Sequence, residues 1–126
     1  MAKRVFIVDD EHITNVINKR IIKTINPQVE VLDFTDPQEA FKQMRDKQPA
    51  LVFLDLNMPE LNGWEYLAKM EEEQLDIKVI IVTSSTSVVD RRRSTKFANV
   101  IDYMEKPASI EALRYYLADD AAQQVA

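Results

Sequence analysis

Cysteine is absent from the 126 residues, which excludes a disulfide framework, a thiolate metal site and thiol chemistry, and agrees with a reducing compartment. No apolar run approaches membrane-spanning length, and Met1-Ala2-Lys3-Arg4 leads straight into a short strand rather than into a signal peptide's apolar stretch. The expectation is a cytoplasmic protein without membrane association. A basic excess is missing too. Against 16 lysines and arginines stand 21 aspartates and glutamates, a net charge of -5, so general phosphate-backbone binding and direct DNA binding are not expected. The sole histidine, His12, follows an acidic pair; it reads as solvated or lightly packed and receives no catalytic role. There are no internal repeats, and 126 residues with 46% hydrophobic content suffice for one domain around one core, but not for two.

What is present is a strict alternation of strand and helix patterns. Lys3 to Val8 reads as a first strand. Ile13, Val16, Ile17 and Ile21 then recur at helical spacing up to Asn26-Pro27, a helix of about four turns. Val29, Val31 and Phe34 alternate with polar residues, as in a strand at or near a sheet edge. Asp36-Pro37-Gln38-Glu39 supplies an N-cap, a first-turn proline and a capping-box glutamate, and Ala40, Phe41 and Met44 give that helix an inner face. A third strand, Leu51 to Leu54, stops at Asp55. The loop from Leu56 to Gly63 holds the only glycine, and Trp64, Leu67, Ala68 and Met70 begin a third helix. Val79 to Val82, β-branched throughout, predicts a central strand that ends at Thr83-Ser84-Ser85. A helix from about Ser87 to Lys96 carries Arg91, Arg92 and Arg93, and Asn99 stands where a left-handed terminator is expected. The last strand ends at Lys106-Pro107. Ser109 caps a terminal helix with Ile110, Leu113 and Leu117 on one face, and Asp119 to Ala126 reads as a frayed end.

Each parallel crossover needs a helix, so five strands and five helices predict an α/β fold: a doubly wound five-stranded parallel sheet in the flavodoxin-like order 2-1-3-4-5. Charges close three of the apolar runs: Asp9 and Asp10 the first, Asp55 the third, Lys106 the fifth. In that order the first and third strands are neighbours at the switch point. Asp9, Asp10 and Asp55 then lie side by side, with Thr83 and Lys106 on the other wall of one cleft. Two carboxylates roughly 4 Å apart repel by about 4 kcal/mol near a protein surface, so a cation is needed, and a divalent metal is the simplest one. Acidic residues at strand ends also serve as turn formers and caps, the commoner role for Asp10 taken alone; the coincidence with Asp55 and Lys106 reverses that preference.

Val8-Asp9-Asp10-Glu11, Asp55-Leu56-Asn57-Met58-Pro59, Leu61-Asn62-Gly63, Thr83-Ser84 and Tyr103-Met104-Glu105-Lys106-Pro107, in this order and spacing, resemble the receiver domain of two-component response regulators. The likeness is to the single-domain, chemotaxis-regulator-like members, and it assigns residues 1–120 to the receiver domain and 121–126 to a frayed tail. It implies that Asp55 is the phosphoryl acceptor, a carboxylate nucleophile. It further implies Mg²⁺ held by Asp9 and Asp10, one of them through water, with Asp55 and the backbone carbonyl of Asn57, leaving the Asn57 side chain free. Lys106, the Thr83 hydroxyl and the Ser84 backbone N–H would contact the phosphoryl oxygens. Thr83 and Tyr103 would form the switch that remodels the fourth helix, the fifth strand and the last helix, although Tyr103 also reads as an ordinary core aromatic. The resting charges balance, three carboxylates against Lys106 and a divalent ion, and phosphorylation tips them negative.

The resemblance thus implies a phosphoacceptor signalling module and not a turnover enzyme, since its chemistry is self-phosphorylation and slow self-dephosphorylation, tuned by Asn57 and Ser85. Expected partners are a sensor histidine kinase or histidine phosphotransfer protein as donor, an unidentified output protein, and a second copy in a phosphorylation-dependent dimer. Three alternatives stay open: a phosphorelay shuttle to a histidine phosphotransfer protein; a Mg²⁺-dependent aspartyl-nucleophile phosphatase, disfavoured by Asn57 where a second acid belongs; and a flavodoxin-like electron carrier, disfavoured by the acidic run after the first strand. Departures from the family pattern are Glu60 in place of a frequent glycine, Ser84 in place of alanine, and Ala108 in place of a bulkier apolar residue. Arg91, Arg92 and Arg93 spread around their helix as a solvated face or a partner contact. Trp64 packs against its loop, and one of Tyr115 and Tyr116 faces outward.

Overall fold

The computed structural model describes residues 3–59 and 61–118. Strands β1 (Arg4–Val8), β2 (Glu30–Phe34), β3 (Leu51–Leu54), β4 (Lys78–Thr83) and β5 (Val100–Glu105) form one parallel sheet in the order β2-β1-β3-β4-β5. Helices α1 (His12–Ile25), α2 (Pro37–Lys47), α3 (Gly63–Glu72) and α4 (Val88–Ser94) connect successive strands, and α5 (Ile110–Leu117) follows β5. Glu60, a departure from the family pattern, and Asp119 to Ala126, where a frayed end is expected, lie outside the described residues. Among those described, no helix is long and apolar enough to cross a membrane.

Consecutive side chains of a strand point to opposite faces, and here both faces are covered. Phe6, Val8, Val52, Leu54 and Ile81 pack beneath α2 and α3 with Met44, Leu67 and Met70. Val5, Ile7, Leu51, Phe53 and Ile80 pack beneath α1 and α5 with Ile22, Leu113 and Leu117. That is why the inner strands read as unbroken apolar runs while the edge strand β2 alternates. At the other edge the pairing slips between Val79, which faces Val100, and Ile80, which faces Asp102. Ile101 falls in that bulge and stays exposed despite its apolar neighbours.

Several local readings need correction. Ile13, Val16 and Ile17 share helical spacing, yet all three are exposed, Ile13 at 74%. The inner stripe of α1 runs instead through Asn15 and Ile22, because the buried Asn15 amide donates to the carbonyls of Asp9 (2.9 Å) and Phe34 (3.3 Å) at the ends of β1 and β2. Asn99 is not left-handed. Among the described residues, the left-handed ones are Gln48 and Gln74, which follow α2 and α3, whereas the Asn99 amide is buried and donates to the carbonyls of Leu75 and Ile77. Asp36 caps α2 through Gln38 N, but Glu39 closes no capping box, since its carboxylate accepts from the Gln43 amide one turn on. The loop after Asp55 contains a short antiparallel ladder that pairs Asn57 with Asn62 and Met58 with Leu61.

Asn62 then caps α3, its Oδ1 accepting from Trp64 N (2.9 Å) and Glu65 N (3.4 Å). Gly63, first residue of that helix, lies against Leu56: a Cβ here would come within 2.6 Å of Leu56 Cδ2 and 3.1 Å of Leu56 Cα. Since Leu56 directly follows Asp55 and is buried, there is little room to yield. Gly63→Ala is therefore expected to destabilise by about 1–3 kcal/mol, read as a lower urea midpoint, although alanine is the better helix former.

Candidate functional site

The sheet itself assembles the acidic notch. Val8 pairs with Leu54, and Asp55 N donates to the Val8 carbonyl (3.0 Å), so the first residues beyond β1 and β3 emerge side by side. Asp9 and Asp55 are each only 4% exposed; Asp10 is exposed at the rim. One carboxylate oxygen from each of the three lies within 4.8 Å of the others. From the other wall, Lys106 is held at the end of β5 by its N–H to the Thr83 carbonyl (2.8 Å), and its Nζ reaches Asp9 Oδ2 at 2.8 Å and Asp55 Oδ2 at 3.2 Å. Glu11, not singled out in the sequence, comes within 3.6 Å of the same ammonium.

The electrostatics follow from this packing. Partial burial lowers the Lys106 pKa, but the hydrogen bond it donates to Asp9 and then the charge of Asp55 and the hydrogen bond donated to it outweigh that, holding the ammonium above its ordinary value. Lys106 supplies one positive charge against three clustered carboxylates. Asp9 Oδ1 accepts from Glu11 N (2.9 Å) and Asp55 Oδ1 from Asn57 N (3.0 Å), which fixes both carboxylates in orientation. An all-oxygen set of this kind, with one exposed member, suits a hard cation such as Mg²⁺, which binds through few carboxylates and keeps several waters.

Around this centre the remaining residues divide. Thr83 is fully buried, and its Oγ1 accepts from the Asn57 amide (2.9 Å) and from Ser85 N (3.3 Å). The Asn57 side chain is thus committed rather than free, linking the loop after Asp55 to the end of β4. Ser84 sits exposed at the rim. Tyr103 is buried, part of the same core cluster as Leu54 and Ile81, its hydroxyl donating to the Ser85 carbonyl (3.3 Å). Arg91 lies over the Tyr103 ring at 4.8 Å, donates to the Tyr103 carbonyl (3.3 Å) and approaches Glu105 at 3.8 Å. Three consecutive arginines give no sequence signal for which one turns inward; the register of α4 decides it. Trp64 stacks on Phe97 beyond α4 (5.8 Å) rather than on its own loop. Tyr115 is exposed, whereas the Tyr116 hydroxyl donates to Asp102 Oδ2 (2.8 Å) and its pKa is pushed up to about 12 by burial and by that carboxylate.

Comparison with known proteins bears on the family and the fold. A family model described as the response regulator receiver domain matches residues 5–118. A probable C4-dicarboxylate response regulator of Bacillus subtilis is 27% identical over 115 residues, covering 90% of this chain and 50% of the relative. A cyclic di-GMP phosphodiesterase response regulator of Xanthomonas campestris is 30% identical over 116 residues, covering 90% of this chain and 30% of the relative. The chain thus spans half or less of the length of these curated relatives. The crystal structure of a CheY-like receiver domain protein from Methanospirillum hungatei superposes with a TM-score of 0.81 at 24% identity, covering 99% of this chain and 98% of that one. Matched by that family model from residue 5 to residue 118, the chain belongs to the response regulator receiver domains of two-component signalling.

Proposed function

We propose that Asp55 receives a phosphoryl group from a phosphohistidine donor, and that the added charge shifts α4, β5 and α5 toward a state that binds a partner. The observation that carries this reading is the Asp55 carboxylate, buried beside Asp9 with one oxygen on Lys106 and the other on a backbone N–H. In the transfer, an Asp55 oxygen attacks phosphorus, the phosphorus–nitrogen bond to the donor imidazole breaks, and the electron pair leaves with that imidazole. Asp9, Asp10, Asp55 and the Asn57 carbonyl would hold Mg²⁺, which when bound supplies charge neutralisation at the phosphoryl oxygens. Lys106, already shared between Asp9 and Asp55, is positioned to follow the charge onto a phosphoryl oxygen, and the Ser84 N–H completes the set of donors.

The switch follows from the same bonds. A phosphoryl group carries up to two negative charges where Asp55 carried one. The excess draws the Thr83 hydroxyl toward it and away from the Asn57 amide, which loosens the tie between the acceptor loop and β4. Tyr103 is already turned inward, so the element left to respond is α4, tied to it through Arg91 and the Ser85 carbonyl. This is a change of populations between two packings. Exposed Ile13, Val16 and Ile17, on the helix that starts beside the notch, offer a donor protein an apolar landing. A phosphatase reading lacks support, because residue 57 is an amide whose N–H is spent on Thr83.

The test is intact mass after incubation with acetyl phosphate and Mg²⁺. The chain should gain a single phosphoryl group, and EDTA should prevent it. A chain left unmodified in Mg²⁺, or modified equally in EDTA, refutes the reading.

A further inference from the structure

Little apolar packing seats α4: Ser94 is its only buried residue, and Val88 and Val89 are 67% and 73% exposed. Its start is instead tied by hydrogen bonds to the segment that leaves β4. Ser85 Oγ donates to Asp90 Oδ2 at 2.8 Å and accepts from Ser87 N at 3.2 Å, while Ser87 Oγ accepts from Asp90 N at 3.2 Å. The bond to Asp90 is the shortest of the three and carries a charge. Through its main chain the same serine meets the site, because its N–H donates to Thr83 Oγ1 (3.3 Å) and its carbonyl accepts from the Tyr103 hydroxyl (3.3 Å). Ser85 thus joins Thr83, Tyr103 and the first turn of α4. Asp90 also lines an open groove with Asn57, Asn62 and Trp64, so α4 and the acceptor loop are parted there rather than packed together.

We propose that Asp90 is a positioning residue: by holding the Ser85 hydroxyl it turns residues 85–90 into one rigid joint, so that whatever draws Thr83 toward the acceptor must also move α4. This deepens the phosphoacceptor reading and rests on it. The unmodified chain favours the resting packing, so charge arriving at Asp55 does work on α4, and the apparent affinity for a phosphoryl group falls by the fraction of chains already switched. Cutting the joint lets Thr83 move alone. Occupation of Asp55 then tightens while the response of α4 shrinks, two effects that linkage requires to appear together. A residue that only supported the fold would give the opposite result, weaker binding. Plain repulsion between Asp90 and a phosphoryl group would also favour tighter binding on its removal, but that effect needs the carboxylate and not Ser85.

The probe is beryllofluoride with Mg²⁺, which mimics a phosphoryl group on a carboxylate. Calorimetry reads its affinity for the full chain. Trp64, the only tryptophan, stacks on Phe97 just past α4 and lies under Arg93, so its fluorescence reads the response of that helix. In Ser85→Ala and in Asp90→Ala the affinity should rise roughly fivefold and the Trp64 change should fall to about half or less. The double variant should match either single one, because both substitutions remove one bond. Asp90→Asn keeps an oxygen for the Ser85 hydroxyl and should stay near the wild type in both readings. Variants that bind more weakly, or that bind as the wild type with a full Trp64 response, overturn the proposal. So does tighter binding in Asp90→Asn and Asp90→Ala with Ser85→Ala unchanged, since charge alone would then act. Wild-type chain that fails to bind beryllofluoride refutes the phosphoacceptor reading and this inference with it, whereas wild-type binding beside unaffected variants refutes only the joint.

Discussion

Asp55→Asn is expected to reduce phosphoryl uptake from acetyl phosphate by roughly 10³-fold or more, with the fold retained. An amide oxygen is a far weaker nucleophile than a carboxylate, and the other carboxylates of the notch are poorly disposed to substitute. Asp9 is bound by Lys106 at 2.8 Å and by Glu11 N at 2.9 Å, and Asp10 is at the exposed rim. The folded state has little reason to suffer. Asparagine keeps an Oδ1 for the Asn57 N–H, and Lys106 then faces one buried carboxylate instead of two. A urea midpoint near that of the wild type, together with lost mass gain, assigns the loss to chemistry. A variant modified as fast as the wild type would remove Asp55 from the acceptor role.

The strand order was legible because strand ends advertise themselves: an apolar run that stops at Asp9, Asp55 or Lys106 marks where a buried parallel strand leaves the core. Periodicity was a poorer guide to which helical face is buried. Asn15 and Asn99 are buried through side-chain bonds to backbone carbonyls, and no hydropathy pattern ranks an asparagine above Ile13 or Ile17 for an inner position. The Asn57–Thr83 bond was hidden for another reason. It joins residues 26 apart across a loop that folds into its own small ladder, and only the sheet register brings them together. The same holds for Arg91, which differs from Arg92 and Arg93 solely by the rotation of α4 against β5. Long-range polar pairing is set by topology, so the candidate site was readable as a set of acids and a lysine, and its wiring was not.

Lys106→Met is expected to cost about 3 kcal/mol of stability at neutral pH, a large share of the 5–15 kcal/mol typical of a domain. The methionine retains the apolar stem but leaves Asp9 and Asp55, both 4% exposed, side by side without the ammonium that bridges them. Two like charges then face each other in a buried site with no counter-ion, which is where the deficit originates. In the wild type a pH dependence arises from Lys106 itself. Lys106 has a raised pKa, so its contribution is complete below the ordinary lysine value and is lost as pH climbs through the raised one. Mg²⁺ should stabilise the variant more than the wild type, since a divalent ion restores the missing charge. Urea denaturation at pH 7, with and without Mg²⁺, reads both terms. A deficit that Mg²⁺ leaves unchanged would mean that Lys106 acts by packing alone. The variant should also take up phosphoryl groups about 10²–10³-fold more slowly, as expected when a preorganised donor to the developing charge is removed.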